Sequence, residues 1–160
     1  MKLLLFTDGS VNTKLRIGFG AYLACLEDYD SQESLADHIR VKRFVNTSST
    51  KLELQTLLWA LSEVTAPEID LYTDSQNIVG LNARRKKLEG NEYLTKKGKL
   101  LNNYELYKQF YKFTDYVDIQ IMQVHGHLPS GRKNRIDRIF TLVDRASRKA
   151  LRTNSVGNES

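Results

Sequence analysis

The sequence predicts an α/β (α+β mixed) fold: a five-stranded mixed sheet flanked by helices, in the order βββαβα(α)βα. Three observations carry this reading. Three apolar runs follow one another early in the chain across short polar connections, the spacing of an antiparallel meander. From Thr50 the apolar period lengthens to that of a helix. Beyond it, apolar runs alternate with helical stretches, as they do where crossovers lay strands parallel.

Residues 2–7, roughly 17–26 ("IGFGAYLACL") and 38–45 ("HIRVKRFV") read as the first three strands, with His38 on the surface of the third. The first run, in "LLLFTDGSVN", ends on Asp8 before a glycine, and Asp-Gly-Ser alone is ordinary turn chemistry. "TKLELQTLLWALSEV" places Leu54, Leu57, Leu58, Leu61 and Val64 or Thr65 on one helical face, and "TKLE" fits a capping box with Thr50 as cap. Pro67 closes the connection, "EIDLYTD" gives the fourth strand and "SQNIVGLNARRKK" a second helix. A basic segment with Gly90 and Gly98 leads to the helical "LLNNYELYKQFYKF" and then to "VDIQIMQV", the fifth strand. The last helix turns Ile136, Ile139, Phe140, Val143, Ala146 or Ser147, and Ala150 toward the core. Strands one, four and five are then parallel. "TNSVGNES" is polar and aperiodic, so residues 1–152 are expected to form one domain and 153–160 a flexible tail.

At 160 residues the chain can bury a core without staples. Its single cysteine, Cys25, allows no intrachain disulfide, fits a reducing compartment and reads as a small buried hydrophobe. The apolar run before Asp8 is too short for a signal peptide, and no stretch approaches membrane-spanning length. The expectation is a cytoplasmic monomer with no membrane contact and no obligate protein partner. The net charge of +5 is segregated: residues 81–112 carry 9 basic and 3 acidic side chains, 132–152 carry 8 and 2, and everything else sums to −7. Such blocks either coat exposed helices or face a polyanion.

The acidic residues form a second pattern. Asp74 closes "LYTD" as Asp8 closes "LLFTD", so parallel strands one and four would deliver both carboxylates to the carboxyl edge of the sheet, where open α/β sheets bind ligands. Glu53, in the first turn of a helix lying on that sheet, is either a cap partner or a third member. Asp137 and Asp144 lie on one stripe of the last helix, about 10 Å apart along its axis, so only one can join a compact site. Asn134 as cap with Asp137 three residues on would make Asp137 structural, and pairing with Arg148 would do the same for Asp144. Carboxylates crowded together raise one another's pKa unless a cation holds them ionised. Oxygen-only ligands select hard ions such as Mg²⁺, and two such ions about 4 Å apart can drive in-line phosphodiester hydrolysis.

Five segments, "FTDGS", "TSSTKLELQTLLWAL", "LYTDSQ", "VHGH" and "VDRASRKAL", resemble in order the motifs of the type 1 ribonuclease H family, across about residues 3 to 151. The resemblance implies the ribonuclease H-like fold and hydrolysis of the RNA strand of an RNA–DNA hybrid with two Mg²⁺ ions, Mn²⁺ often substituting, to leave 5′-phosphate and 3′-hydroxyl ends. It makes Asp8, Glu53, Asp74 and Asp144 the metal ligands, and His127 in "HGHLPSG" the histidine that aids proton transfer or product release. By the same resemblance Gln76 reads base edges in the minor groove, and Ser10 and Asn12 approach the hybrid from the first hairpin. Ser49 and Thr50 stand where the family commonly has two asparagines. Arg84, Arg85, Lys86 and Lys87, with Lys96, Lys97 and Lys99, occupy the place of the basic protrusion of some members and would supply salt-sensitive affinity. Many members place the last aspartate about ten residues after the histidine, the position of Asp137. The flanking residues "VDRASRKAL" instead select Asp144, with Asp137 in reserve. With no separate hybrid-binding domain ahead of the first strand, the chain is expected to find substrate with its own surface.

The rival readings are a nuclease of the same superfamily acting on DNA, a non-catalytic hybrid-binding module, and an ATP-handling protein of the wider fold. Gln76 beside Asp74 together with the glycine-histidine loop argues against the first. The complete acidic set argues against the second, and the absence of a glycine-rich phosphate loop against the third.

Overall fold

The computed structural model describes residues 2–28, 35–125 and 134–154. Its sheet runs β3-β2-β1-β4-β5, where β1 is Lys2–Asn12, β2 Ile17–Leu26, β3 Arg40–Val45, β4 Glu68–Thr73 and β5 Asp118–Gln123. The first three strands pair antiparallel, while β4 lies parallel to both β1 and β5. Among the described residues five α-helices complete the fold: α1 (Ser49–Glu63), α2 (Gln76–Val79), α3 (Leu81–Gly90), α4 (Tyr104–Thr114) and α5 (Arg135–Asn154). The mixed sheet and its parallel trio are as the sequence predicts.

Alternation along β1 divides the interior. Leu5 points to one face, where it meets Leu54, Leu57 and Leu61 of α1, Leu71 of β4 and Phe110 of α4. Leu4 and Phe6 point to the other and meet Ile139, Phe140 and Val143 of α5. A strand covered on both faces is apolar at every position rather than at every second one, which explains the unbroken Leu3–Phe6 run. Each fully buried leucine or phenylalanine contributes about 1.5–3 kcal/mol over an exposed one. Among the described residues no helix is long and apolar enough to cross a membrane.

Several local expectations are corrected. The Asp-Gly-Ser segment is strand, not turn: Asp8, Gly9 and Ser10 pair with Ala21, Gly20 and Phe19, and β1 reverses only after Asn12. The glycines serve packing. A Cβ on Gly9 would lie 2.9 Å from Leu52, and one on Gly20 2.1 Å from the Thr56 hydroxyl, so their bareness lets α1 settle onto the sheet. The α1 cap is Ser48 rather than Thr50. Its backbone is extended and its hydroxyl accepts from the Lys51 amide at 3.4 Å. Glu53 therefore lies beyond reach of the cap amide, which frees its carboxylate. The second helix is broken at Gly80, whose ψ of 2° separates α2 from α3. Residues 100–103 stay outside α4, which starts after Asn103 in the left-handed region at φ 65°. His38 belongs to a 3₁₀ turn, Ala36–His38, ahead of β3 rather than to the strand.

Candidate active site

The last parallel pair of β1 and β4 is Phe6 with Tyr72, so two residues further along each chain stand Asp8 and Asp74. Neighbouring strands are about 4.8 Å apart, which puts the two acids side by side where β4 stops and β1 runs on. Asp8 shares the face of Leu4 and Phe6 and therefore looks toward α5. Asp144 of α5 approaches it there, both lining one depression, and its carboxyl adds to the rise in the Asp8 pKa. Glu53 arrives from the opposite face on α1, its Oε1 accepting from the Ser75 hydroxyl at 2.8 Å. Ser75 is held in turn as the α2 cap, its Oγ accepting from the Ile78 amide at 3.2 Å.

All four acids line one depression of about 780 Å³, rimmed by Lys14, Arg148 and Arg152. Its electrostatics show the crowding. Burial, then the hydrogen bond to Asp144, then the charge of Asp74 push Asp8 up to about 9. Burial also raises Glu53, with the Asp74 charge adding to the shift and the Ser75 hydroxyl opposing it. Arg148 reaches Asp144 from solvent at 3.0 Å, so Asp144 has both its helical ion pair and a place in the cluster. Asp137 has another occupation. Its amide donates to Asn134 Oδ1 at 2.9 Å, and its Oδ2 accepts from the Asn134 amide at 3.2 Å, a reciprocal cap at the start of α5.

The donor set suits a hard divalent ion by its chemistry: four carboxylates, oxygen only, one of them pushed well above the ordinary carboxylate range by burial and by its acidic neighbours. Among the described residues, however, no group of three or more His, Cys, Asp or Glu side chains already forms a metal-holding arrangement. Asp8 and Asp144 are turned to each other and Glu53 to Ser75, so closing a ligand shell requires side-chain rotation, not refolding.

The remaining expected residues distribute around this cluster. Gln76 is exposed at the start of α2, and Ser49 and Thr50 are exposed in the first turn of α1. Asn12 closes the hairpin, its Oδ1 accepting from the Lys14 and Leu15 amides at 3.0 and 3.1 Å. Ser10 hydrogen-bonds Ser147 at 2.9 Å. Arg84 donates to the Gly80 carbonyl at 3.3 Å, and Arg85 to Glu89 and Asp115 at 2.9 Å each, while Lys86 and Lys87 are exposed. A second depression, of about 920 Å³, lies between the start of α1 and the basic segment, with Thr50, Arg84, Lys96, Lys97 and Lys99 in its lining. His127 lies outside the described residues. Sequence reasoning missed Ser75 and the tie between Ser10 and Ser147. A serine directly after "TD" is a cap signal that would have found the first; no one-dimensional signal pairs Ser10 with Ser147.

The sequence model of the RNase H family matches residues 1–150. A ribonuclease H of Zymomonas mobilis subsp. mobilis is 29% identical over 138 residues, 85% of this chain and 84% of that protein. Among solved structures, the solution structure of the PFV RNase H domain superposes with a TM-score of 0.75 at 17% identity, covering 94% of each chain. The foamy viral protease-reverse transcriptase in complex with dsDNA gives a TM-score of 0.65 at 16% identity, over 92% of this chain and 94% of that one.

Proposed function

The chain belongs to the RNase H family, and from that premise we propose that it is an endoribonuclease that cleaves the RNA strand of RNA–DNA hybrids, leaving 5′-phosphate and 3′-hydroxyl ends. The observation that carries this reading is the convergence of Asp8, Glu53, Asp74 and Asp144 from distant parts of the chain on one depression, where burial and the neighbouring acids push Asp8 up to about 9. These four residues would hold two Mg²⁺ ions, or Mn²⁺ in their place. When bound, such a pair supplies an activated water and stabilises the leaving oxygen of the phosphodiester.

The protein's own groups do the rest. Asp8, whose pKa burial and its acidic neighbours raise, gives up its proton when the ions bind, and Ser75 keeps the Glu53 carboxylate facing the edge. His127 assists proton transfer or product release. Gln76, Ser49, Thr50 and Asn12 face the hybrid's shallow minor groove, where 2′-hydroxyls distinguish RNA from DNA. Lys86, Lys87, Lys96, Lys97 and Lys99 hold the phosphate backbone without regard to sequence, and Arg84 and Arg85, though engaged by protein partners, add their charge to the field. The protein works as a cytoplasmic monomer.

The test is incubation with an end-labelled hybrid, with and without Mg²⁺, beside single-stranded RNA, duplex RNA and duplex DNA. Metal-dependent cleavage confined to the RNA of the hybrid is expected. Cleavage of duplex DNA in preference to the hybrid, or metal-independent cleavage, contradicts the reading.

A further inference from the structure

On α5 the buried residues are Ile139, Phe140, Val143 and Ser147, so beyond Asp144 the last anchor of the helix is a serine in an otherwise apolar stripe. Ser147 is fully buried. Its hydroxyl donates to the Asp144 backbone carbonyl at 3.0 Å, the usual way a helical serine satisfies itself against a preceding turn. That leaves its oxygen free to accept, and the Ser10 hydroxyl, 2.9 Å away, is the donor across the gap between β1 and α5. Ser10 shares the face of Asp8, two residues earlier on the strand. An unbroken chain therefore runs from β1 through Ser10 Oγ and Ser147 Oγ to the carbonyl of Asp144. It ties the strand bearing Asp8 to the helix bearing Asp144 at the level of the site, beyond Val143, the last fully buried apolar residue of α5.

We infer that Ser10 and Ser147 are positioning residues that set Asp144 against Asp8 and so fix the spacing of the divalent-ion site. The inference rests on the proposed function for the identity of that site, and it gives Ser10 a task facing inward rather than toward the hybrid. The pair acts through the helix, since without the tie the C-terminal half of α5 is free to shift along β1 and carry Asp144 with it. Buried groups behind metal ligands commonly have such effects, and losing one costs about 10–100-fold in metal affinity or activity.

Two variants of one shape test it: Ser10→Thr keeps the hydroxyl and Ser10→Val removes it, and both suit a strand. Mg²⁺ binding is read without substrate, from the rise in melting temperature across a Mg²⁺ titration; kcat and KM on the hybrid are read separately. Ser10→Val is expected to need about tenfold more Mg²⁺ for half-saturation and to lose about tenfold in kcat at fixed Mg²⁺, with KM unchanged, while Ser10→Thr follows the wild type. Ser147→Ala should reproduce the loss, and Ser10→Val with Ser147→Ala together should be no worse than either alone. If Ser10→Val does not fold, Ser147→Ala against the wild type carries the same titration. The inference is overturned if the hydroxyl-free variants titrate with Mg²⁺ as the wild type does, whether their melting temperature falls or not, or if only KM rises, which would make Ser10 a substrate contact. A wild type that binds Mg²⁺ but leaves the hybrid intact defeats the proposed function and not the pair.

Discussion

The acidic edge and the basic segment of residues 84–103 face opposite electrostatic problems. At the edge, four carboxylates share one depression, and burial, with Asp144 and Asp74 adding to it, holds the Asp8 proton far above the ordinary range. On the basic segment Lys86, Lys87, Lys96, Lys97 and Lys99 all stand in water, where their mutual repulsion is weak, and Arg84 and Arg85 are tied down by protein partners. The edge stores a cost that a cation would relieve, so the placement of each oxygen matters. The segment offers a diffuse field reaching roughly a Debye length, about 10 Å at 0.1 M salt, so the number of charges matters more than their placement.

The most damaging challenge to this contrast is Asp8→Asn. Removing a metal ligand should cost on the order of 10³-fold in metal-dependent cleavage of a hybrid while hybrid binding persists in a filter or anisotropy assay. The same change should stabilise the metal-free protein at alkaline pH. Asp8 titrates above its ordinary value, so the folded state prefers it protonated: its stabilising contribution is complete below the ordinary carboxylate range and is lost as pH climbs through about 9. In calorimetry at pH 8 without metal, Asp8→Asn should melt above the wild type, and added Mg²⁺ should raise the wild type alone.

The two acids of α5 refine the contrast within one helix. Asp144→Asn should lose activity on the same scale as Asp8→Asn. Asp137→Asn should keep most activity and lose about 1 kcal/mol of stability in urea unfolding, the worth of a weakened cap. The reverse outcome would move the fourth ligand to Asp137.

On the basic side the expected effects are smaller and graded. Replacing Lys96, Lys97 and Lys99 together by glutamine should raise KM for the hybrid with little change in kcat. It should also flatten the salt dependence of binding by roughly 0.9 in log–log slope for each phosphate that is no longer neutralised. Arg85→Ala is expected to do least to binding. Its guanidinium is already engaged by Glu89 and Asp115, exposed pairs worth about 0–1 kcal/mol, so a small drop in melting temperature is the expected readout.

Much of this was legible in one dimension. Periodicity located the sheet, its parallel trio and both faces of packing, because a strand buried on two sides and a helix on one leave different apolar signatures. The clustering of Asp8 and Asp74 followed from parallel pairing alone. Local chemistry misled at Gly9 because a distant element decided, since it reads as a turn until Leu52 is seen to need its bareness; at Thr50 the rival was local, the neighbouring Ser48 taking the cap instead. Likewise Asp137 and Asp144 each had a bland explanation. Both explanations hold in the structure, and only contact with Asp8 separates the two residues.

The four carboxylates are expected to close around paired divalent ions. An anomalous-difference map from crystals of the wild type soaked in Mn²⁺ addresses this directly. Two peaks are expected within reach of Asp8, Glu53, Asp74 and Asp144. A map with no peak there, or with Mn²⁺ bound only elsewhere on the surface, would contradict it.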